Sequence, residues 1–89
     1  MAQSKSSKKR ARQAEERRLR NRAVKSAVRT YVSRGRRLIG EGDVEQAEAA
    51  VAVALRALDK AASKGVLHKN NAARRKSRLM KALNALQEA

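Results

Sequence analysis

Residues 40–66 read GEGDVEQAEAAVAVALRALDKAASKGV, and this glycine-framed segment decides the fold. Asp43 stands before an apolar repeat and Gln46 follows three residues later, as in the capping box that begins many helices. Apolar residues then recur every three or four positions, which indicates one packed face of a helix. These positions are Val44, Ala47, Val51, Leu55, Leu58 and Ala62. Gly65 predicts a left-handed C-cap, with Val66 folded back over the last turn.

The rest of the chain predicts two more helices. Proline is absent, strand-like alternation is missing, and most residues are strong helix formers. We expect helix 1 from about Ser7 to Ile39, and helix 3 from His68–Asn71 to about Gln87. Gly35 lies on the apolar face of helix 1, where it permits either a close helix approach or a bend. The large apolar residues of helix 1 are Val24, Val28, Tyr31, Leu38 and Ile39, and the apolar face of helix 3 consists of Ala72, Leu79, Met80, Leu83 and Leu86.

These three faces predict an all-α fold, a three-helix bundle whose long, basic N-terminal helix extends beyond the bundle. They cover only the second half of helix 1, all of helix 2 and the second half of helix 3. Residues 1–18 carry no apolar side chain larger than alanine except Met1, so they cannot pack against a core. We expect a single domain over residues 1–89, with residues 1–18 disordered until a partner binds.

Charge is divided along the chain as sharply as the apolar residues are. Residues 1–37 hold 14 Lys/Arg against 2 acids, residues 38–63 hold 2 against 5, and residues 64–89 hold 7 against 1, giving a net charge of +15. Leu, Ile, Val and Phe together number only 16, while alanine accounts for 18 residues, so the core is small. Like charge at this density repels itself, so a polyanion is expected to complete the structure. A nucleic-acid backbone is the simplest such partner.

The basic residues of helices 1 and 3 are the candidate nucleic-acid contacts, because Lys and Arg neutralise backbone phosphates. One ridge of helix 1, here named the basic ridge, has the spacing i, i+4, i+7, i+11 and consists of Arg18, Arg22, Lys25 and Arg29. The whole candidate set is Lys5, Lys8, Lys9, Arg10, Arg12, Arg17, Arg18, Arg20, Asn21, Arg22, Lys25 and Arg29 in helix 1, and His68, Lys69, Asn70, Asn71, Arg74, Arg75, Lys76 and Arg78 near the start of helix 3. The asparagines either add hydrogen bonds to the nucleic acid or are merely solvated.

The kind of nucleic acid is narrowed by the shortage of aromatic residues. Proteins that grip single strands stack bases on aromatic side chains, and Tyr31 is the single aromatic residue of this chain. Because Tyr31 lies on the apolar face of helix 1, a core position is the better interpretation. We therefore expect recognition of folded or double-stranded nucleic acid by shape and phosphate geometry.

Other classes of function find little support in the residues. His68 is the single histidine and cysteine is absent, so we expect no catalytic site, metal site or cofactor. His68 either contacts a phosphate or caps the turn before helix 3. No small-molecule substrate is indicated. No apolar run approaches the ~18 residues of a membrane span and the N-terminus lacks a signal peptide's apolar stretch, so we expect a cytoplasmic protein.

Three alternatives stay open on charge alone. A histone-like, DNA-compacting protein would have the same charge layout and is the main alternative. A membrane-active cationic peptide would need bulky apolar anchors, which residues 1–18 lack. A regulator that binds an acidic protein surface is conceivable, although no feature points to such a partner.

Residues 64–79, KGVLHKNNAARRKSRL, resemble the signature of the bacterial small-subunit ribosomal protein S20 family. Residues 4–10, SKSSKKR, are also similar, with Ser6-Ser7 where Ser-Ala is expected in many relatives. Further similarity lies in Arg20-Asn21-Arg22, Lys25-Ser26 and Arg29-Thr30, and in the order of the helices. The resemblance spans nearly the whole chain.

This resemblance implies a structural constituent of the bacterial 30S subunit that binds 16S ribosomal RNA directly and stabilises its folded arrangement during assembly. It implies contact with the 5′ domain of the RNA, with the long helix near its 3′ end, and with other 30S components. By position, the basic residues of helix 1 and the cluster 68–78 would be the RNA contacts. Residues 1–18 would then become ordered on RNA.

Overall fold

The computed structural model describes residues 4–89, and over these residues the chain forms three α-helices and no strands. The helices are α1 (Lys5–Glu41), α2 (Val44–Ser63) and α3 (Lys69–Glu88). The predicted all-α fold with three helices and a long first helix is confirmed. Residues 1–3, which begin the segment predicted to be disordered without RNA, lie outside the described residues.

Capping residues fix where the first two helices begin and where α1 ends. The hydroxyl of Ser4 accepts a hydrogen bond of 3.1 Å from the backbone N–H of Ser7 and caps α1. Gly42 ends α1 in the left-handed region, with φ of 79°. Asp43 caps α2 by accepting from the backbone N–H of Gln46 at 3.1 Å, which confirms the predicted capping residue.

The end of α2 is a Schellman turn built on Gly65. Gly65 has φ of 76°, and its N–H donates to the carbonyl of Ala62 at 3.0 Å. The N–H of Val66 donates to the carbonyl of Ala61 at 2.9 Å. The predicted C-cap is therefore confirmed. This turn reverses the chain and begins the short connection to α3.

The core is small and rich in alanine, as the composition predicts. It consists of Val28, Val32 and Leu38 from α1, Ala47, Val51, Ala54, Leu58 and Ala61 from α2, and Ala72, Leu79 and Leu83 from α3. Tyr31 is half-buried and packs against this cluster, which confirms its core position. Val32 was left out of the predicted face of α1, because that face was drawn too narrow.

Two residues that were predicted on the apolar faces of α2 and α3 lie at the surface instead. Val44 and Met80 are each 38% exposed. The buried face of α2 follows a 4-3-4-3 spacing from Ala47 to Ala61, so Val44, in the first turn, lies at its end. Met80 directly follows the buried Leu79 and is turned by about 100° around α3, because an α-helix has 3.6 residues per turn.

Gly35 lies where all three helices meet. It is buried, and a Cβ at this position would lie 3.5 Å from Cγ2 of Val51 and 3.8 Å from Cδ2 of Leu79. This placement shows the close helix approach that was one of the two predicted roles of Gly35, and α1 continues as one helix through this point. The space admits one methyl group at van der Waals distance.

The molecule is strongly elongated because α1 outruns its partners. Its principal extents are 66 × 21 × 16 Å and its radius of gyration is 17.8 Å, whereas a compact domain of this length has about 12 Å. The 37 residues of α1 span about 55 Å and the 20 residues of α2 about 30 Å. We name residues 5–20 the arm, since every one of their side chains is exposed. Residues 24–41 are the packed half of α1.

Candidate nucleic-acid interface

The arm carries eight of the predicted contact residues, and all eight are exposed. They are Lys5, Lys8, Lys9, Arg10, Arg12, Arg17, Arg18 and Arg20. Successive residues of a helix turn by about 100°, so these cations point in all directions around the axis. A rod with charge on every side suits a partner that surrounds it better than a flat anionic surface.

One ion pair interrupts the positive charge of the arm. Nε and Nη2 of Arg18 donate to the two carboxylate oxygens of Glu15 at 3.0 and 2.7 Å. The hydrogen bonds from Arg18 and its positive charge lower the pKa of Glu15, and the same contact raises the pKa of Arg18. Both side chains are exposed to solvent, so the pair orients the guanidinium and adds little to stability. Glu16, the neighbouring carboxylate, makes no ion pair within residues 4–89.

The basic ridge forms a single continuous surface, as its spacing predicts. A shallow groove along α1 is lined by Arg18, Asn21, Arg22, Lys25, Ser26 and Arg29. No carboxylate lines this groove in the described part of the chain. A cleft lined by charge of one sign concentrates the field and attracts counter-ions of the opposite sign.

Folding brings the C-terminal end of the basic ridge against the start of α3. Lys25 and Arg29 share a groove with Asn71 and Arg75, and its apolar lining comes from Val28 and Leu67. Lys25 and Arg29 are more than 40 positions from Asn71 and Arg75 in the sequence. The packed helices therefore join the two basic segments into one surface at this point. Lys5 to Arg12, at the far end of the arm, share no groove with α3.

A second groove between α1 and α3 is lined by four arginines, and we name it the four-arginine groove. Its charged residues are Arg29, Arg36, Arg75 and Arg78, with Val32 and Ser33 beside them. Arg36 was not among the predicted contacts. It follows Arg29 by seven residues, so extending the i, i+7 spacing of the basic ridge by one step would have found it.

Lys64 was also missed by the prediction. It lies with Val66 in a cleft whose other side is formed by Arg17, Arg20 and Asn21 of α1. Lys64 immediately precedes the Schellman glycine, so the turn that ends α2 positions its ammonium beside the arm. The sequence feature that could have identified Lys64 is its position as the first residue of the basic segment 64–78.

His68 is the N-cap of α3. Its Nδ1 accepts a hydrogen bond of 3.1 Å from the backbone N–H of Asn70, so this ring nitrogen carries no proton in the capped state. The capping alternative of the prediction is thus confirmed. The ring is exposed, and contact of its other edge with a nucleic acid stays a prediction.

The remaining predicted residues of α3 fall into two groups. Lys69, Asn70, Arg74 and Arg78 are exposed on the first turns, free of ion pairs within residues 4–89. Lys76 is half-buried, and its Nζ lies 2.7 Å from Oδ1 of Asp59 on α2. This ammonium is already paired and ties α2 to α3, so it is a weaker candidate for contact than its neighbours.

The described residues offer neither a metal site nor a membrane-spanning helix. Between residues 4 and 89, no group of His, Asp and Glu side chains is arranged to hold a metal ion. None of the three helices is long and apolar enough to cross a membrane.

Comparison with known sequences shows the family of this chain. The model of the family Ribosomal protein S20 matches residues 2–84, which is nearly the whole chain. The chain belongs to the ribosomal protein S20 family. Among curated S20 relatives, each named small ribosomal subunit protein bS20, that of Cutibacterium acnes is 60% identical over 88% of this chain and 89% of its own length.

Two further S20 relatives extend the match to the full chain. The protein of Thermomicrobium roseum is 51% identical over 100% of this chain and 90% of its own length. The protein of Geobacillus thermodenitrificans is 51% identical over 98% of both. The S20 family consists of structural ribosomal proteins and not of enzymes. This membership confirms the predictions of a ribosomal, non-catalytic protein of the cytoplasm.

Proposed function

We propose that this chain is a structural constituent of the small ribosomal subunit that binds 16S ribosomal RNA directly and stabilises the folded RNA during 30S assembly. The observation that carries the proposal is the separation of charge from core. The grooves between α1 and α3 expose Lys and Arg with no carboxylate among them, and the basic ridge does the same apart from Arg18, which pairs with Glu15. The core residues of the same helices are meanwhile buried against one another.

The chemistry of these surfaces favours a shaped RNA. Arginine forks engage phosphate oxygens in pairs of hydrogen bonds, and released counter-ions supply affinity. Helices of RNA are recognised mostly through shape, phosphates and 2′-hydroxyls, which needs no aromatic platform. The predicted contact set is kept in full, with Arg36 and Lys64 added because they line the same clefts.

The elongated shape supports contact with more than one RNA segment. By resemblance to the family, these segments are the 5′ domain and the long helix near the 3′ end. The arm lies beyond the bundle and offers charge on all sides, while the grooves between α1 and α3 offer it on one side. We propose that the arm enters a space between RNA helices and that the bundle lies against the surface of the RNA.

We also propose that residues 4–18 become ordered only on RNA. The structure gives the helical state of residues 5–18, but no side chain there is buried. An isolated helix of this length is marginal in water, and like charges four residues apart weaken it further. Phosphates around the arm would remove that repulsion.

The test is binding of the full-length protein to 16S RNA, duplex DNA of equal length and an unrelated structured RNA across a salt series. We expect tight binding to 16S RNA at about 200 mM salt, where the competitors lose affinity steeply. Equal affinities for all three, with equal salt slopes, would contradict direct recognition of 16S RNA. That result would favour the DNA-compacting alternative, which otherwise has only net charge in its support.

A further inference from the structure

The four-arginine groove combines features that the rest of the basic surface lacks. Two arginines come from α1 and two from α3, so the groove exists only when these helices are packed together. No lysine and no carboxylate lines it among the described residues, and the buried Val32 lies at its side. All the charged side chains that line this groove are therefore positive.

The seam between α1 and α3 is the electrostatic weak point of the bundle. α1 packs less extensively on α3 than on α2. The cross-helix ion pair of the described chain, Lys76 with Asp59, ties α2 to α3 and does nothing for α1. Arginines of α1 and of α3 line the same groove, and such like charges repel one another and destabilise the packed state.

We propose that the four-arginine groove is a phosphate clamp, in which one phosphodiester or polyphosphate chain bridges α1 and α3 and stabilises the bundle. The clamp deepens the proposed function and rests on it for the identity of the anion as RNA. It assigns a binding role to Arg36, and it makes the stability of the fold dependent on the ligand.

The geometry favours an extended phosphate chain over a single small anion. Arg29 and Arg36 are two helical turns apart, about 10 Å along α1, and Arg75 and Arg78 are one turn apart, about 4.5 Å along α3. A chain of phosphates can accept forked hydrogen bonds from each guanidinium, and a groove with an apolar side strengthens them.

Thermal unfolding of the full-length protein, followed by circular dichroism, tests the clamp. Sodium tripolyphosphate is titrated against sodium chloride at matched ionic strength, without divalent metal. A ligand that binds only the folded state raises Tm, and for a domain of this size we expect a rise of about 5 °C or more at saturation. Chloride at the same ionic strength should give a clearly smaller rise.

Matched double variants locate the effect. Arg36→Gln with Arg78→Gln removes one arginine from each side of the groove. Arg34→Gln with Lys81→Gln removes the same charge from the same helices, at exposed positions that do not line the groove. Without tripolyphosphate, at low salt, the groove variant should melt at or above the wild type because repulsion is relieved. With tripolyphosphate, the control should keep the full rise and the groove variant should lose most of it.

A conservative variant separates the arginine fork from its charge. Arg36→Lys with Arg78→Lys keeps every charge but removes two forked guanidinium groups. This variant should therefore retain only part of the rise in Tm. An equal rise in the groove variant and the control would overturn the clamp, and so would no rise in the wild type. Far-UV spectra of all variants before heating show whether each is folded.

A binding arm identifies the source of the phosphates and keeps the two proposals apart. If RNA occupies the clamp, the groove variant should lose affinity for 16S RNA by more than the control does, at equal net charge. Equal losses, with the tripolyphosphate effect intact, would overturn RNA as the occupant and leave free polyphosphate. Failure of the wild type to prefer 16S RNA would overturn the proposed function, whereas an intact preference without a tripolyphosphate effect would overturn only the clamp.

Discussion

The arm and the packed half of α1 belong to one continuous helix, yet different forces hold them. In the packed half, Val28, Val32 and Leu38 are buried against α2 and α3, so tertiary packing stabilises the helix. In the arm, no side chain is buried, and Leu19 is its one large apolar residue, 50% exposed. The comparison teaches that one helix can serve the core at one end and a polyanion at the other.

Truncation of a leucine should break this comparison most visibly. Leu58 is 0% exposed. Leu58→Ala should lower the unfolding free energy of the protein by about 2–5 kcal/mol, because transfer energy is lost and a cavity remains. Leu19→Ala, in the arm, should stay within about 0.5 kcal/mol of the wild type. Urea unfolding followed at 222 nm measures both. A loss above about 1 kcal/mol for Leu19→Ala would mean that the arm packs on the bundle.

The next largest effect concerns the glycines of α1. Gly35→Leu should destabilise by about 1–3 kcal/mol, since the buried site has room for a methyl group and not for an isobutyl group. Gly40→Leu is the matched control, because nothing lies within 4 Å of a Cβ there, and it should stabilise slightly through helix propensity. The same unfolding measurement decides between them.

Gly35→Ala sharpens the same point in the opposite direction. Its new methyl group would lie 3.5 Å from Val51, and alanine gains up to about 1 kcal/mol over glycine in a helix interior. We therefore expect Gly35→Ala to be as stable as the wild type or more stable. A loss of stability would show that the three helices need the bare backbone at this crossing.

Removal of a ridge charge should affect binding and leave the fold alone. Arg22→Gln should weaken binding to 16S RNA several-fold and lower the salt slope by about 0.7–0.9, with unfolding free energy nearly unchanged. Arg56→Gln removes an equal charge from the exposed surface of α2, and it should change the slope less. Filter binding across a salt series measures both. Indistinguishable slopes would contradict the assignment of the ridge as the RNA surface.

The smallest effect is the pH response of the arm. Hydrogen bonding to Arg18 lowers the pKa of Glu15, so the carboxylate supports the helix fully above the ordinary pKa of 4.5. This support should fade as the pH falls through the lowered pKa, because protonation breaks the pair. In the free protein, where the arm is only fractionally helical, Cα chemical shifts of residues 12–20 should show a small loss of that residual helix at acid pH. Glu15→Gln should abolish that change, while Glu16→Gln should preserve it.

The sequence predicted those parts of the fold that depend on local chemistry. Asp43 acts as a cap because its side chain accepts a backbone hydrogen bond within the first turn. Gly65 acts as a cap because glycine readily adopts a positive φ. The three apolar faces followed from period 3.6. Val44 and Met80 were wrongly predicted to be buried. They lie at the edges of their apolar faces, and only the packing of the partner helices decides which edge residues are covered. The role of Gly35 depended likewise on how close α2 and α3 come.

The candidate site divides in the same way. The basic ridge was predicted correctly as one surface, since its spacing alone puts four cations on one side of α1. The four-arginine groove could not be derived from α1 or α3 separately, because it depends on the packing angle between them. Lys76 looked like an RNA contact in sequence, and only the bundle shows its partner, Asp59.

Amide hydrogen exchange of the free protein and of its complex with 16S RNA tests the central claim most directly. The account predicts protected amides in residues 24–41 in both states, because packing holds that half of α1. It predicts nearly unprotected amides in residues 5–18 of the free protein, and protection of the same amides in the complex. Strong protection of residues 5–18 without RNA, or no gain on RNA binding, would contradict the division of α1 into a packed half and an RNA-ordered arm.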